Sequence, residues 1–231
     1  MAPKGTQFLV YTATHARVKS GPMQKLRLVI LGSGGHAKVI AEIFEESSTY
    51  DIIGYTSLSA TVPLFDYPYL GTDDALPTLF ASGITHAFPA IGSNRIRHRM
   101  LTELLALGFA LPNAISRHAI VSPRTTLGSA IAIMPGAIVN VDSVLGDGAI
   151  LNTACSVDHD GHIGTCAHIA PGAHLAGNVT VGDGAFLAAG SCAVPGMKIG
   201  AWATVGAGGV VIRDIEPNSV AVGVPATRRL H

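Results

Sequence analysis

Charge is what this sequence has least of. Of its 231 residues only 13% are Asp, Glu, Lys or Arg, and the fifteen basic side chains cancel the fifteen acidic ones. With no basic excess and no long run of Lys or Arg, nothing marks a surface for nucleic acid or an anionic membrane. Cysteine is sparse too. Cys155, Cys166 and Cys192 form no CxxC pair and, being three, cannot all pair with one another. They read as small buried residues in a reducing cytoplasm, which excludes a disulfide-stapled fold. No apolar run approaches the roughly 18 residues of a membrane span, and no signal-peptide pattern is present.

What the chain does have is apolar residues: 48% of the total, with a mean hydropathy of +0.41. That is enough for a substantial core, and with zero net charge it predicts apolar surface buried between subunits. The length suits one large domain or two small ones. Residues 1–22 carry no clear periodicity and precede Met23, directly before a strong strand, so they are set aside as an extension or tag.

Residues 23–112 follow an α/β order. "LRLVILG" reads as a buried strand, "GSGGHAKVIAEIFEES" as a glycine loop opening an amphipathic helix, and "YDIIGYT" as a second strand. A short helix over "DDALPTLFASG", a strand over "ITHAFPAIG" and a long helix over "NRIRHRMLTELLALGF" complete a small, Rossmann-like parallel sheet covered by helices.

The period then changes. From Val121 to Val211, every sixth residue is apolar, and only Ala193 among these is smaller than valine. Neither a helix nor an alternating strand gives that spacing; a fixed short repeat signals a solenoid. Gly128, Gly146, Gly164, Gly182 and Gly200 recur at steps of eighteen, or three hexapeptides. Residues 113–231 are therefore expected to form a parallel β-helix of about five coils with three flat faces. The glycines would stack along one corner, where the backbone is expected to need angles that a side chain forbids.

Two stretches carry chemistry. In "SVDHDGHIG", His159 is flanked by Asp158 and Asp160; a carboxylate fixes the imidazole tautomer and raises its basicity, as a general base requires. His162, His168 and His174 have the look of a ligand set, but residues six apart in an 18-residue coil fall on three different faces and cannot surround one ion within a single chain. "GSGGHA" fits G-x-G-x-x-G/A between a strand and a helix, the context in which backbone N–H groups hold phosphate. A dinucleotide domain would add an acid at the end of the second strand, where this chain reads Gly54-Tyr55-Thr56-Ser57, so NAD is disfavoured. A tight turn without a ligand remains the other reading of the loop.

Four segments together, "GSGGHAKV", "AIGSNRIR", "ILNTACSVDHDGHIG" and "GVPATR", resemble one branch of the left-handed β-helix acyltransferases. These are bacterial sugar acyltransferases, including N-acetyltransferases of nucleotide-linked 4-amino-4,6-dideoxy sugars and sialic acid O-acetyltransferase-like proteins. The resemblance implies a cytoplasmic homotrimer that uses acetyl-CoA, without a metal, in the biosynthesis of a surface glycan. It further implies that His159 is the catalytic base and Asp160 the acid that tunes it, a position where some relatives carry Glu. Ser33, Gly34, Gly35 and Gly92 match nucleotide-sugar contacts, and Asn152 matches an asparagine near the sugar. Thr56 and Ser57 fall where relatives often carry acids that contact the nucleobase, which leaves UDP and GDP both open. His168, Gly177, Ala189 and Ala207 match acetyl-CoA contacts. Other readings stay open: an O-acetyltransferase of the sialic acid type, a metal-dependent hydratase of the β-helical carbonic anhydrase type using histidines of neighbouring chains, and a non-catalytic trimeric scaffold.

Overall fold

The computed structural model describes residues 25–228, so the extension expected over 1–22 lies outside the described residues. Strand β1 (Leu26–Leu31) is the centre of a three-stranded parallel sheet, flanked by β2 (Tyr50–Thr56) and β3 (His86–Pro89). Leu28 to Leu31 are fully buried, as a strand covered on both faces demands. Helix α1 (Gly35–Glu45) buries Ala37, Ile40, Ala41 and Phe44, one stripe at helical spacing. A short α2 (Leu76–Ala81) follows a 3-10 turn over Asp73–Ala75, and α3 (Asn94–Ala106) closes the domain.

The rest is a parallel β-solenoid. Strands of two residues pair with partners eighteen residues on, as in Ile150 with His168 and His168 with Phe186. They build three faces. Face one runs from Ala114–Ile115 through Ile150–Leu151 and His168–Ile169 to Val220–Val222; face two contains Ser156–Val157 and His174–Leu175; face three contains His162–Ile163 and Thr180–Val181. The second residue of each pair points inward, and Ile133, Leu151, Ile169, Leu187 and Val205 are fully buried in one stack.

The solenoid has about six turns rather than five. The pattern starts one step earlier than read, at Ile115, which pairs with Ile133. It also survives a two-residue shortening in the last coil, where Ile199 meets Ile215 and Val205 meets Ala221. A strict step of six loses the repeat at that point.

The corner glycines are not there for left-handed backbone angles, as the sequence leads one to expect. Gly128, Gly146, Gly164, Gly182 and Gly200 are not among the positive-φ residues. They are glycine because the next coil lies against them: a Cβ on Gly146 would sit 2.7 Å from the Thr165 nitrogen, and one on Gly182 2.5 Å from that of Ala201. The left-handed angles belong to a different column. One residue in each hexapeptide from Ala130 to Gly208 has φ between 54° and 79°. Half of these are glycine and the rest include Asp142, Asp160 and Asn178, the side chains that tolerate this region best.

Helix α3 lies along the corner between faces three and one. Its buried stripe is Arg97, Met100, Leu101 and Leu104, with arginine where an apolar residue is expected. Arg97 is 1% exposed. It donates from Nε to the Gly148 carbonyl and from Nη2 to the Cys166 carbonyl, both at 2.8 Å, and from Nη1 to the Ile91 carbonyl at 2.8 Å. The Gly92 carbonyl and the Asn94 Oδ1 accept its remaining bonds. The Asn94 amide in turn donates to the Gly184 carbonyl. One helix is thus tied to three successive coils, which fixes the α/β domain against face one.

Candidate active site

His159 sits at the apex of a turn on the corner between faces two and three, just before Asp160 in its left-handed conformation at φ 59°. That backbone angle turns the Asp160 carboxylate back to the imidazole, with Oδ2 2.8 Å from Nδ1. The contact is direct, and a side chain one methylene shorter than Glu reaches it. Asp158 does a different job: its Oδ1 accepts from the His159 N–H and from the Asn140 amide, each at 2.8 Å, holding the turn. The bond to Asp160 is the main cause of a His159 pKa above its usual value, with the Asp158 and Asp160 charges adding to it. Asp158 is held below the ordinary carboxylate range, first by Asn140 and then by the His159 N–H. With Nδ1–H donating to the carboxylate, Nε2 carries the free lone pair.

Nε2 faces Gly177, the turn apex one coil on. A Cβ there would stand 2.5 Å from it, so only glycine leaves the ring its place. Among the described residues no acceptor takes the Gly177 N–H. The site is open: the His159 side chain is 57% exposed.

The second group of candidates lies where the α/β domain meets face one. Gly32, with φ +110°, is required by the turn, since a Cβ would press on the Ala90 carbonyl. Gly34, Gly35 and Gly92 are different: a Cβ on any of them would meet nothing within 4 Å. The fold of this chain does not require bare backbone there, so the space is available to a ligand. Helix α1 starts beneath it with no side-chain cap and no acid in its first turn, leaving N–H donors for a phosphate. Ser33 is buried in the same loop.

Two half-buried histidines stand beside the loop. The Asn152 amide lies 3.0 Å from His168 Nε2, and the His168 ring reaches toward the Gly92 backbone. Burial, then Arg97, then His36 push the His168 pKa down to about 3; burial and Arg97 push that of His36 down to about 4. Both are therefore neutral near pH 7, able to orient polar groups but not to carry a standing positive charge. His36 Nε2 is a buried atom with no hydrogen-bond partner among the described residues. Sequence reasoning does not reach the roles of His36 and Arg97; their only signal is a polar side chain inside a glycine loop or an otherwise apolar stripe.

The expected residues thus separate into three groups. His159, Asp160 and Gly177 share the corner between faces two and three. Asn152 and His168 lie on face one or its edge, while Ser33, Gly34, Gly35 and Gly92 belong to the loops of the α/β domain. Ala189 and Ala207 stack on the corner between faces one and two, exposed and linked by the bond from the Gly208 N–H to the Ala189 carbonyl at 2.9 Å. Thr56 is fully buried, its hydroxyl donating to Asp73 Oδ1 at 2.7 Å, so it holds Asp73 in place while Ser57 lines a cavity beside the glycine loop. His162, His168 and His174 fall on faces three, one and two respectively.

Residues 27–104 match the family model of the PglD N-terminal domain. Over 88% of this chain and 97% of the other, the structure matches a His→Asn variant of perosamine N-acetyltransferase from Caulobacter crescentus in complex with CoA and GDP-perosamine, at 42% identity and a TM-score of 0.86. The acetyltransferase domain of PglB from Neisseria gonorrhoeae FA1090, in complex with acetyl coenzyme A, matches at 35% identity and a TM-score of 0.82, covering 89% of this chain and all of that one. WeeI from Acinetobacter baumannii AYE shares the fold, at 22% identity and a TM-score of 0.79. With identity at this level across both the α/β domain and the solenoid, the chain belongs to the family of β-helical sugar acetyltransferases that includes perosamine N-acetyltransferase and the PglB acetyltransferase domain.

Proposed function

We propose that this chain transfers the acetyl group of acetyl-CoA to the amino group of a nucleotide-linked 4-amino-4,6-dideoxy sugar, UDP- or GDP-linked. The observation that carries the reading is the His159–Asp160 pair, with a free Nε2 poised over the bare backbone of Gly177. The acetyl thioester supplies the electrophile. As the amine nitrogen bonds to its carbonyl carbon, His159 Nε2 takes the amine proton, and Asp160 stabilises the imidazolium that results. The same imidazolium then returns a proton to the departing CoA sulfur as the C–S bond breaks. A positioned base of this kind contributes roughly 10²–10⁴-fold. The unpartnered Gly177 N–H is placed to donate to the carbonyl oxygen, where charge develops. The exposed alanines at 189 and 207 leave a shallow corner for an extended pantetheine arm. The relatives bound to CoA and GDP-perosamine, or to acetyl coenzyme A, support both substrates.

The active site is completed by a second copy, in a homotrimer. His159 and His168 are nine residues apart, half of an 18-residue coil, so the base of one chain points away from that chain's own glycine loop. A neighbour's face one, with its α/β domain, would cover the exposed base and deliver the sugar to it. Among the described residues no helix is long and apolar enough to cross a membrane.

The test is thiol release from acetyl-CoA with UDP- and GDP-linked 4-amino sugars, by wild type and His159→Ala. Release with one amino sugar, reduced at least about a hundredfold in the variant, is the expected result. Equal rates in the two proteins would remove His159 from the mechanism, and release only with hydroxyl acceptors would favour O-acetyl transfer.

A further inference from the structure

The end of β2 lacks the acid that ribose- or base-reading sheets place there, but the fold supplies one from elsewhere. After β2 the chain loops out and returns: the Leu70 N–H donates to the Tyr55 carbonyl, and the Ser57 N–H to the Gly71 carbonyl. This second pass sets Asp73 at the start of the 3-10 turn, where the buried Thr56 hydroxyl fixes its Oδ1. Asp73 lines a cavity of about 340 Å³ that opens beside the glycine loop at Gly32 and Ser33. Leu58, Val62, Ile91 and Ile96 give it apolar walls, and Ser57, Ser59 and Arg99 complete the lining. Leu58 is 95% exposed, a large apolar side chain held out over the opening.

We propose that this cavity holds the nucleobase of the sugar donor, and that Asp73 selects guanine; the inference rests on the nucleotide-sugar reading above. Apolar walls with a single carboxylate in the lining suit a planar heterocycle with two adjacent donors on one edge. Guanine presents N1–H and the 2-amino group side by side, matching the two carboxylate oxygens, and each oxygen has a second lone pair, so the Thr56 bond does not block the pairing. Uracil offers one N–H between two carbonyls and would set an oxygen against the carboxylate. Adenine offers its 6-amino group next to a ring acceptor. Thr56 is then a positioning residue: it holds Asp73 in place and does not touch the base.

Calorimetric titration of the full chain with GDP, IDP and UDP tests this without any acetyl transfer. Wild type is expected to bind GDP at least about tenfold more tightly than UDP. IDP, which keeps N1–H and lacks the 2-amino group, should fall between them. In Asp73→Asn, GDP should weaken by about 10- to 100-fold, the loss typical of charge-assisted pairs, with UDP little changed and the GDP-to-IDP gap closed. Asn Oδ1 still accepts from Thr56, so the local fold is kept. Thr56→Val should lose GDP affinity to a smaller degree, and Asp73 alone should set the order of the three ligands. Binding of the diphosphates without a preference for GDP, or an unchanged preference in Asp73→Asn, overturns the assignment to Asp73. Binding of none of them would overturn the nucleotide-sugar reading itself, and this inference with it.

Discussion

Replacing Arg97 by methionine keeps a long side chain in the seam between the two domains and removes every donor it contributes. The Gly148 and Cys166 carbonyls lose the buried bonds that now satisfy them. An orphaned buried acceptor costs about 1–3 kcal/mol, so these two alone amount to about 2–6 kcal/mol. Part is offset, because the substitution also removes a desolvated cation; among the described residues no carboxylate pairs with Arg97. A net loss of about 3 kcal/mol is expected, which for a chain of this size lowers the apparent Tm by roughly 6–12 °C. Arg97→Lys, with three donors in place of five, should fall between wild type and the methionine variant. Thermal unfolding followed by circular dichroism measures both. A methionine variant that melts within about 2 °C of wild type would refute the claim that this arginine holds the α/β domain on the solenoid.

Three further outcomes follow from the turn that carries His159 and from the column of left-handed residues. In Asp160→Asn the imidazole loses the partner that raises its pKa. The base works only when neutral, so the acid limb of the kcat/KM profile should move to lower pH, while the plateau falls by at least about tenfold as basicity and orientation are lost. An unmoved limb would show that another group sets it. Gly177→Ala places a methyl against His159 Nε2 and should lower kcat by about 10²-fold through displacement of the ring, with the melting temperature nearly unchanged; retention of full kcat would mean that the ring does not work from this position. Ala154, exposed at φ 54°, carries a strain of about 1–2 kcal/mol that Gly would relieve, less roughly 0.5–1 kcal/mol of glycine entropy. Ala154→Gly should therefore stabilise by about 0.5 kcal/mol, and Gly172→Ala, one coil on at φ 63°, should destabilise by a similar or larger amount; denaturant melts in parallel decide the signs.

The solenoid was legible because its core is one inward side chain per face, repeated without interruption over sixteen positions. A period that long has no competing explanation. The α/β order was legible for the same reason: β1 is buried on both sides and α1 has a clean apolar stripe. Less visible was whatever depends on two segments meeting. Asp73 is seventeen residues beyond the Thr56 it touches, with no periodicity to link them. Arg97 occupies an apolar position of a helix, and only the carbonyls of coils fifty and more residues away explain it. The turn column was in plain view, since glycine, aspartate and asparagine recur among positions six apart from Gly136 to Gly208. The five glycines at steps of eighteen are more conspicuous, although close approach of the next coil and not a left-handed angle is what requires them. The separation of His159 from His168 also follows from arithmetic on the repeat, half a coil being half a revolution.

That separation makes subunit mixing the most direct test of the account. His159→Ala removes the base from one edge of the chain. Gly35→Asp puts a negative charge into open space at the glycine loop, disabling the other edge without a clash. Each variant alone should be inactive in thiol release with the preferred nucleotide amino sugar. If each site takes its base from one chain and its sugar-binding domain from the next, randomly mixed trimers from equal co-expression should recover about a quarter of wild-type activity, since each half is intact with a chance of about one in two. Activity that stays at the level of the separate variants would contradict a site shared between chains.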